Sequence, residues 1–193
     1  MIELSQYIKS NVGILGQSDL DRLVSLFQRV KIKKGDYLLH SGRLCDKLCF
    51  VRSGLLRCFS FTKNKEITQW IFTKGYFATD LASLIFNTPA RWSIQALTDT
   101  ELYIISKENY TSLKSVIPKW TEVERLVLVK YFTNMEERIY CHLSMTAEER
   151  YNLFFDRNRE LFNQAPLQYL ASMLGMTPET LSRIRNKKER VNS

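Results

Sequence analysis

Near the C-terminal end, in LQYLASMLGMTPETLSRIRNKK, stand the residues best suited to reading another molecule: Thr177, Glu179, Thr180, Ser182, Arg183, Arg185 and Lys187. On a helix Glu179 and Arg183 are i,i+4 neighbours that can support each other, so one exposed face offers a carboxylate, hydroxyls and a guanidinium together. Those groups match base edges in a DNA major groove. A guanidinium donates two parallel hydrogen bonds to guanine, and a carboxylate accepts from the cytosine amino group. Arg185, Lys187, Lys188 and Arg190 follow, and cations of this kind bind phosphates without regard to sequence. A solvated basic terminus would explain the charge but not the turn that precedes it.

That turn is what must position the readers. The segment has the spacing of a helix-turn-helix: Ala171 is small enough for close helix approach, Gly175 four residues later permits a left-handed turn, and Leu181 packs under both helices. Leu170, Leu174, Met176 and Ile184 complete the buried set. Thr177 caps the second helix and Pro178 begins it, which predicts a helix from about Pro178 to Lys187 whose first-turn amides are open to a phosphate.

Upstream, Thr146-Ala-Glu-Glu149 has the form of a capping box, opening a helix whose core face is Tyr151, Phe154, Phe155, Leu161 and Phe162 and which breaks around Asn163 to Pro166. Before it a long helix is predicted from Pro118 to about Tyr140. Leu128, Phe132, Met135 and Ile139 form one apolar stripe on it, and Trp120, Val123, Val127 and Tyr131 a second. Two stripes predict two burial partners. Either both lie inside one subunit, or one meets the preceding domain and the other a twin helix across a dimer axis.

From Val30 the pattern is of short β-like runs, VKIKKGDYLL, LCFVRSG, LLRCFSF, ITQWIF, WSIQAL and ELYIIS, with reversals at Lys34-Gly35-Asp36 and Arg52-Ser53-Gly54. With no helical segments between most of them, they predict an antiparallel sandwich or roll. A short helix carrying Leu20, Leu23, Val24 and Phe27 precedes them, with Ser18 as its cap and Asp21 three residues on.

The whole chain narrows the function classes. Its 193 residues carry a formal net charge of +8, which favours a polyanionic partner. Cys45, Cys49, Cys58 and Cys141 lack zinc spacings, and with only His40 and His142 the histidine cluster of a cupin-type iron enzyme cannot be built, so no metal site is expected. Buried free thiols are expected instead. Neither a Gly-rich phosphate loop nor a Ser-His-Asp arrangement is recognisable, and the expectation is a protein without enzymatic activity. No run reaches the roughly 18 apolar residues that span a bilayer. The start MIELSQYIKS lacks a signal-peptide core, so no membrane partner and a cytoplasmic location are expected.

The order of roll, long helix and terminal helix-turn-helix resembles the Crp/Fnr superfamily over nearly the whole chain. The segment KKGDYLLHSGRLCDKLCFVRSGLLRCFSFTKNKEITQWIFTKGYF is similar to the cyclic-nucleotide-binding fold, with Gly35, Gly42, Gly54 and Gly75 at the family's turn positions, and SIQALTDTELYIIS resembles its closing strands. TPETLSRIR matches the recognition helix of the Fnr branch, whose glutamate, serine and arginine read the half-site; those roles fall on Glu179, Ser182 and Arg183. The resemblance implies an α+β fold: an N-terminal double-stranded β-helix, or jelly-roll-like β-roll, with flanking helices as a sensor over residues 1–117, a dimerisation helix over 118–141, and a winged-helix-like helix-turn-helix over 142–193. It further implies a bacterial transcription regulator, a homodimer on palindromic double-stranded DNA, with RNA polymerase as a further partner and room for a small-molecule effector in the roll.

Two departures limit the carry-over. Nucleotide-binding members hold the cyclic phosphate with a Gly-Glu and an Arg-Ser pair, whereas this chain reads GYFATDLASLIFNTPARWSIQAL, with no glutamate after Gly75 and with Ala90 and Arg91 where Arg and Ser would stand. Cyclic AMP is therefore not expected, the effector is unknown, and Arg91 is the candidate for an anionic one, against its commoner reading as a surface arginine. Only six residues follow Lys187, so the wing is expected to be truncated or absent. The alternative in function is a ligand-sensing or protein-interaction module that does not bind DNA.

Overall fold

Among the described residues the β-like runs fall within eight strands: β1 (Gln28–Ile32), β2 (Tyr37–Leu39), β3 (Lys47–Ser53), β4 (Leu56–Phe61), β5 (Glu66–Phe72), β6 (Phe77–Ala78), β7 (Ser93–Ala96) and β8 (Thr100–Ser106). In the computed structural model, which describes residues 2–11 and 13–191 and the side chains of these except 11 and 189–191, they pair as two antiparallel sheets. The orders are β1-β8-β3-β6 and β2-β7-β4-β5. Both sheets contribute to one core, with Cys49, Phe50, Val51, Leu102 and Ile105 from the first and Leu56, Cys58 and Ile94 from the second. The chain is thus α+β with an antiparallel roll.

Glycine makes the reversals possible. Gly35, Gly42, Gly54 and Gly75 all adopt positive φ. At Gly54 the requirement is also steric, because a Cβ there would lie 2.5 Å from Thr100 Oγ1 and 2.6 Å from the Asp99 carbonyl oxygen.

Helices α1 (Ile2–Asn11) and α2 (Gln17–Ser25) precede the roll and bury Leu4, Ile8, Leu20, Leu23 and Val24 in its core. Ser18 is not the cap of α2. Gly16 holds that position without a side-chain bond, Ser18 falls in the first turn, and Gln17 reaches forward to Asp21 at 2.7 Å. A short α3 (Leu81–Phe86) interrupts the strands, capped by Asp80. After the roll come α4 (Lys107–Val116) and the long α5 (Trp120–Ser144). Pro118 lies in the turn before α5 rather than inside it, and the helix runs beyond Tyr140.

The two stripes of α5 are covered unequally. Trp120 and Val123 join the roll core, with Val127 half-buried and Tyr131 46% exposed, whereas of the other stripe Phe132 (63%) and Ile139 (56%) are mostly exposed, Leu128 is 45% exposed and Met135 is half-buried. Leu143, on the same side one turn on, is 84% exposed.

A capping box opens α6 (Ala147–Arg157): the Thr146 N–H donates to Glu149 Oε2 at 2.8 Å, and the Glu149 N–H to Thr146 Oγ1 at 3.3 Å. The aromatic helix breaks earlier than its apolar pattern predicts. Asn158 leaves helical geometry and its Nδ2 donates to the Phe154 carbonyl at 3.0 Å, so α7 (Arg159–Gln164) is a separate helix. Next are α8 (Leu167–Met173) and α9 (Pro178–Val191). Tyr151, Leu161, Phe162, Leu170, Leu174, Leu181 and Ile184 form a second core that also takes in Leu55 and Ile71 of the roll.

Candidate nucleic-acid interface

Between α8 and α9 the chain turns in a Schellman motif. The Met176 N–H donates to the Ala171 carbonyl at 3.0 Å and the Gly175 N–H to that of Ser172 at 3.1 Å, with Gly175 at φ 68°. A Cβ on Gly175 would meet His142 Cδ2 at 3.2 Å, so the site favours glycine for both conformation and space. Ala171, Leu170 and Leu181 are fully buried, which brings the two helices close and turns the other side of α9 outward. The small residue, the glycine and the buried leucine were each legible in the sequence.

The start of α9 has the predicted cap: Thr177 Oγ1 accepts from the Thr180 N–H at 3.2 Å. Its own backbone N–H and the Thr177 hydroxyl hold the Glu179 carboxyl below the usual carboxylate range. Thr177, Glu179, Arg183 and Lys187 are exposed, and Thr180, Ser182 and Arg185 are half-buried. The expected Glu179 to Arg183 pair is not formed among the described residues: the carboxylate turns back to Thr177, and Arg183 is left projecting from the helix without a side-chain partner.

The cations beyond it are already engaged. Lys187 Nζ pairs with both Glu148 oxygens at 3.0 and 3.1 Å, and Lys188 reaches Asn152 at 3.0 Å and Asp156 at 3.6 Å. Both salt bridges tie α9 to α6, a link the sequence did not signal. The Arg190 side chain lies outside the described residues.

Arg91 belongs elsewhere. Its guanidinium stands 5.2 Å from the Trp92 ring centroid on the surface, and its backbone N–H donates to Asp80 at 3.0 Å. Between the roll and α5 lies a cavity of about 280 Å³ whose walls include Phe72, Phe77, Asp80, Trp92, Trp120 and Tyr131. Arg91 does not line it. The described lining residues include no lysine or arginine, and their carboxylates are Asp80 and Glu124. Asp80 is buried and committed, with one oxygen on the Ser83 N–H at 3.0 Å and the other on the Arg91 and Trp92 N–H groups. All four cysteines are buried free thiols, and burial pushes the Cys58 thiol up to about 12. Among the described residues no group of three or more His, Cys, Asp or Glu side chains is placed to hold a metal ion.

Residues 29–115 match the family model of the cyclic nucleotide-binding domain. Solved structures of similar fold include FixK2 from Bradyrhizobium japonicum, with a TM-score of 0.73 at 14% identity, covering 86% of this chain and 86% of that one. The c-di-GMP responsive global regulator CLP of Xanthomonas campestris gives 0.66 at 16% identity over 92% and 93% of the two chains. The catabolite activator protein of Thermus thermophilus gives 0.58 at 24% identity over 93% and 86%. No curated protein sequence matches the chain.

Proposed function

We propose, on the premise that the chain is a member of the Crp/Fnr superfamily with a cyclic nucleotide-binding domain at residues 29–115, that it is a transcription regulator binding double-stranded DNA. In this reading α8 and α9 are a helix-turn-helix, α9 is its recognition helix, and Glu179, Ser182 and Arg183 contact base edges while Thr177, Thr180, Arg185 and Lys187 contact the backbone. The proposed division is a sensor over 1–117, a dimerisation helix over 118–141 and a DNA-binding unit over 142–193, with α5 itself spanning Trp120–Ser144.

The observation that carries it is the outer face of α9. A Schellman turn and a threonine cap fix the helix, Leu181 and Ile184 anchor its inner side, and Arg183 stands outward with no side-chain partner among the described residues. A major groove supplies what that guanidinium lacks. The exposed Leu128, Phe132 and Ile139 stripe on α5 supports a homodimer, whose two-fold axis suits a palindromic operator. RNA polymerase is then a partner at the promoter, and the roll cavity is where an effector other than cyclic AMP would sit. An operator selected from random duplexes, titrated against a scrambled duplex at fixed salt, tests the reading. Selection that yields no preferred duplex would leave a protein-interaction module as the better account.

A further inference from the structure

A second cavity, of about 480 Å³, lies where the roll, α5 and the α6 to α8 region meet. Its size is that of a small-molecule site. Trp70, Phe72, Tyr131, Met135, Phe154 and Met173 give it apolar and aromatic walls. The charge around it is one-sided: Lys130, Arg138, Arg150 and Arg157 line it, and among the described lining residues Glu137 is the carboxylate.

Arg138 is the informative group. Its guanidinium stands 5.1 Å from the Trp70 ring centroid, and Nη2 donates to the Met173 carbonyl at 3.3 Å. That bond uses one of five donors. No carboxylate lies within ion-pair distance of it among the described residues, and burial pulls its pKa down. A desolvated cation without a counter-charge is costly, and its planar fork matches a carboxylate or phosphate. Arg150, by contrast, is committed to the Leu174 and Met145 carbonyls at 2.9 and 2.6 Å.

Of the stripe offered to a twin α5, Met135 also lines this cavity, while the rest of the stripe faces away from it. Tyr131, Asn134, Arg138 and Cys141 recur at helical spacing on the cavity side, whereas Leu128, Phe132, Ile139 and Leu143 recur on the other side of the same helix.

We propose that this interdomain cavity is a ligand site for a small organic anion, with a flat apolar body among Trp70, Tyr131 and Phe154 and its carboxylate or phosphate on Arg138. It adjoins the roll cavity, since Gln69, Phe77 and Tyr131 line both, but it differs in charge. Because its walls come from the roll, α5 and α8, an occupant holds the α8 to α9 unit against the roll and biases how α9 is presented.

The test needs no DNA, so its outcome is independent of the DNA-binding reading. The full-length chain is titrated with anilinonaphthalene sulfonate and, separately, with N-phenylnaphthylamine, which has the same rings without the anionic group. The sulfonate should bind once per chain, and Arg138→Met should weaken it by about tenfold or more while leaving the neutral probe within about twofold. Arg138→Lys, which keeps the charge, should retain part of the affinity. Asn134→Trp, which fills the cavity from α5, should abolish both probes' binding and guards against a failure of Arg138→Met to fold. Equal affinity of the two probes for the wild type, or sulfonate binding unchanged by Arg138→Met or Asn134→Trp, would overturn the proposal.

Discussion

The guanidinium of Arg57, on β4, lies 3.7 Å from the ring centroid of Tyr169, on α8, and 4.2 Å from that of Phe59. Arg57 is only 2% exposed, pairs with Glu66 at 2.6 Å and donates to Thr68 Oγ1 at 2.9 Å. Next to it the Thr68 N–H donates to Ser172 Oγ at 2.9 Å, so side chains of α8 and main chain of the roll are bonded directly. A desolvated cation between two aromatic faces contributes about 2 kcal/mol. Arg57→Met should therefore lower stability in urea by about 2 kcal/mol and raise amide exchange across Leu167–Met173. Unchanged protection of α8 would show that this seam does not hold the two parts together.

Arg183→Ala should cost about 1 to 3 kcal/mol on a selected operator and little on a scrambled duplex. Lys187→Ala should weaken both duplexes alike and reduce the salt dependence by about one unit of slope. Its loss should be the smaller, because Lys187 must leave Glu148 before it can meet a phosphate. Equal losses on the two duplexes for Arg183→Ala would reduce that residue to a backbone contact.

Sedimentation at micromolar concentration should show a dimer. Phe132→Glu combined with Ile139→Glu should give a monomer with an unchanged circular dichroism spectrum, since both side chains are more than half exposed within the chain. Wild-type protein sedimenting as a monomer with and without DNA would remove the homodimer.

Cyclic AMP should give no binding heat in calorimetry on Asn134→Trp, in which the interdomain cavity is filled and the roll cavity is the site left to test. A desolvated cyclic phosphate needs charge-assisted donors, while the roll cavity presents Asp80 and Glu124 and leaves Arg91 on the surface. A dissociation constant in the low micromolar range, about 10 µM or below, would contradict this.

Acid should weaken the chain through Glu101. Hydrogen bonds from Arg29 and Lys31, joined by one from Arg52, hold its carboxyl at about 2, below its ordinary 4.5. A depressed folded-state value means stabilisation present above the unfolded value and lost as pH falls from about 4.5 towards about 2. Glu101→Gln should flatten the pH dependence of the melting temperature in that window. A slope identical to wild type would place the acid sensitivity elsewhere.

What the sequence made legible was local. A left-handed turn demands glycine, so Gly35, Gly54 and Gly175 announced their reversals, and the Thr146 and Glu149 spacing announced a helix start. Arg57 did not announce itself. Nothing within LLRCFSF marks the arginine as buried, and its partner Tyr169 lies far along the chain with no local signal joining the two. The break at Asn158 was hidden because Tyr151, Phe154, Leu161 and Phe162 keep facing one core across it. Lys187 read as a free cation because its partner Glu148 belongs to another helix.

Along the β4 to β5 hairpin, Leu56 and Phe72 are register partners that point into the first core, while the next pair, Arg57 and Ile71, turns to α8 and the second. One hairpin is thus the shared wall of both interiors. Strip it from either side and the other side loses its wall too, so the two halves should melt as a single cooperative unit, with one heat-absorption peak where two independently folding modules would give two.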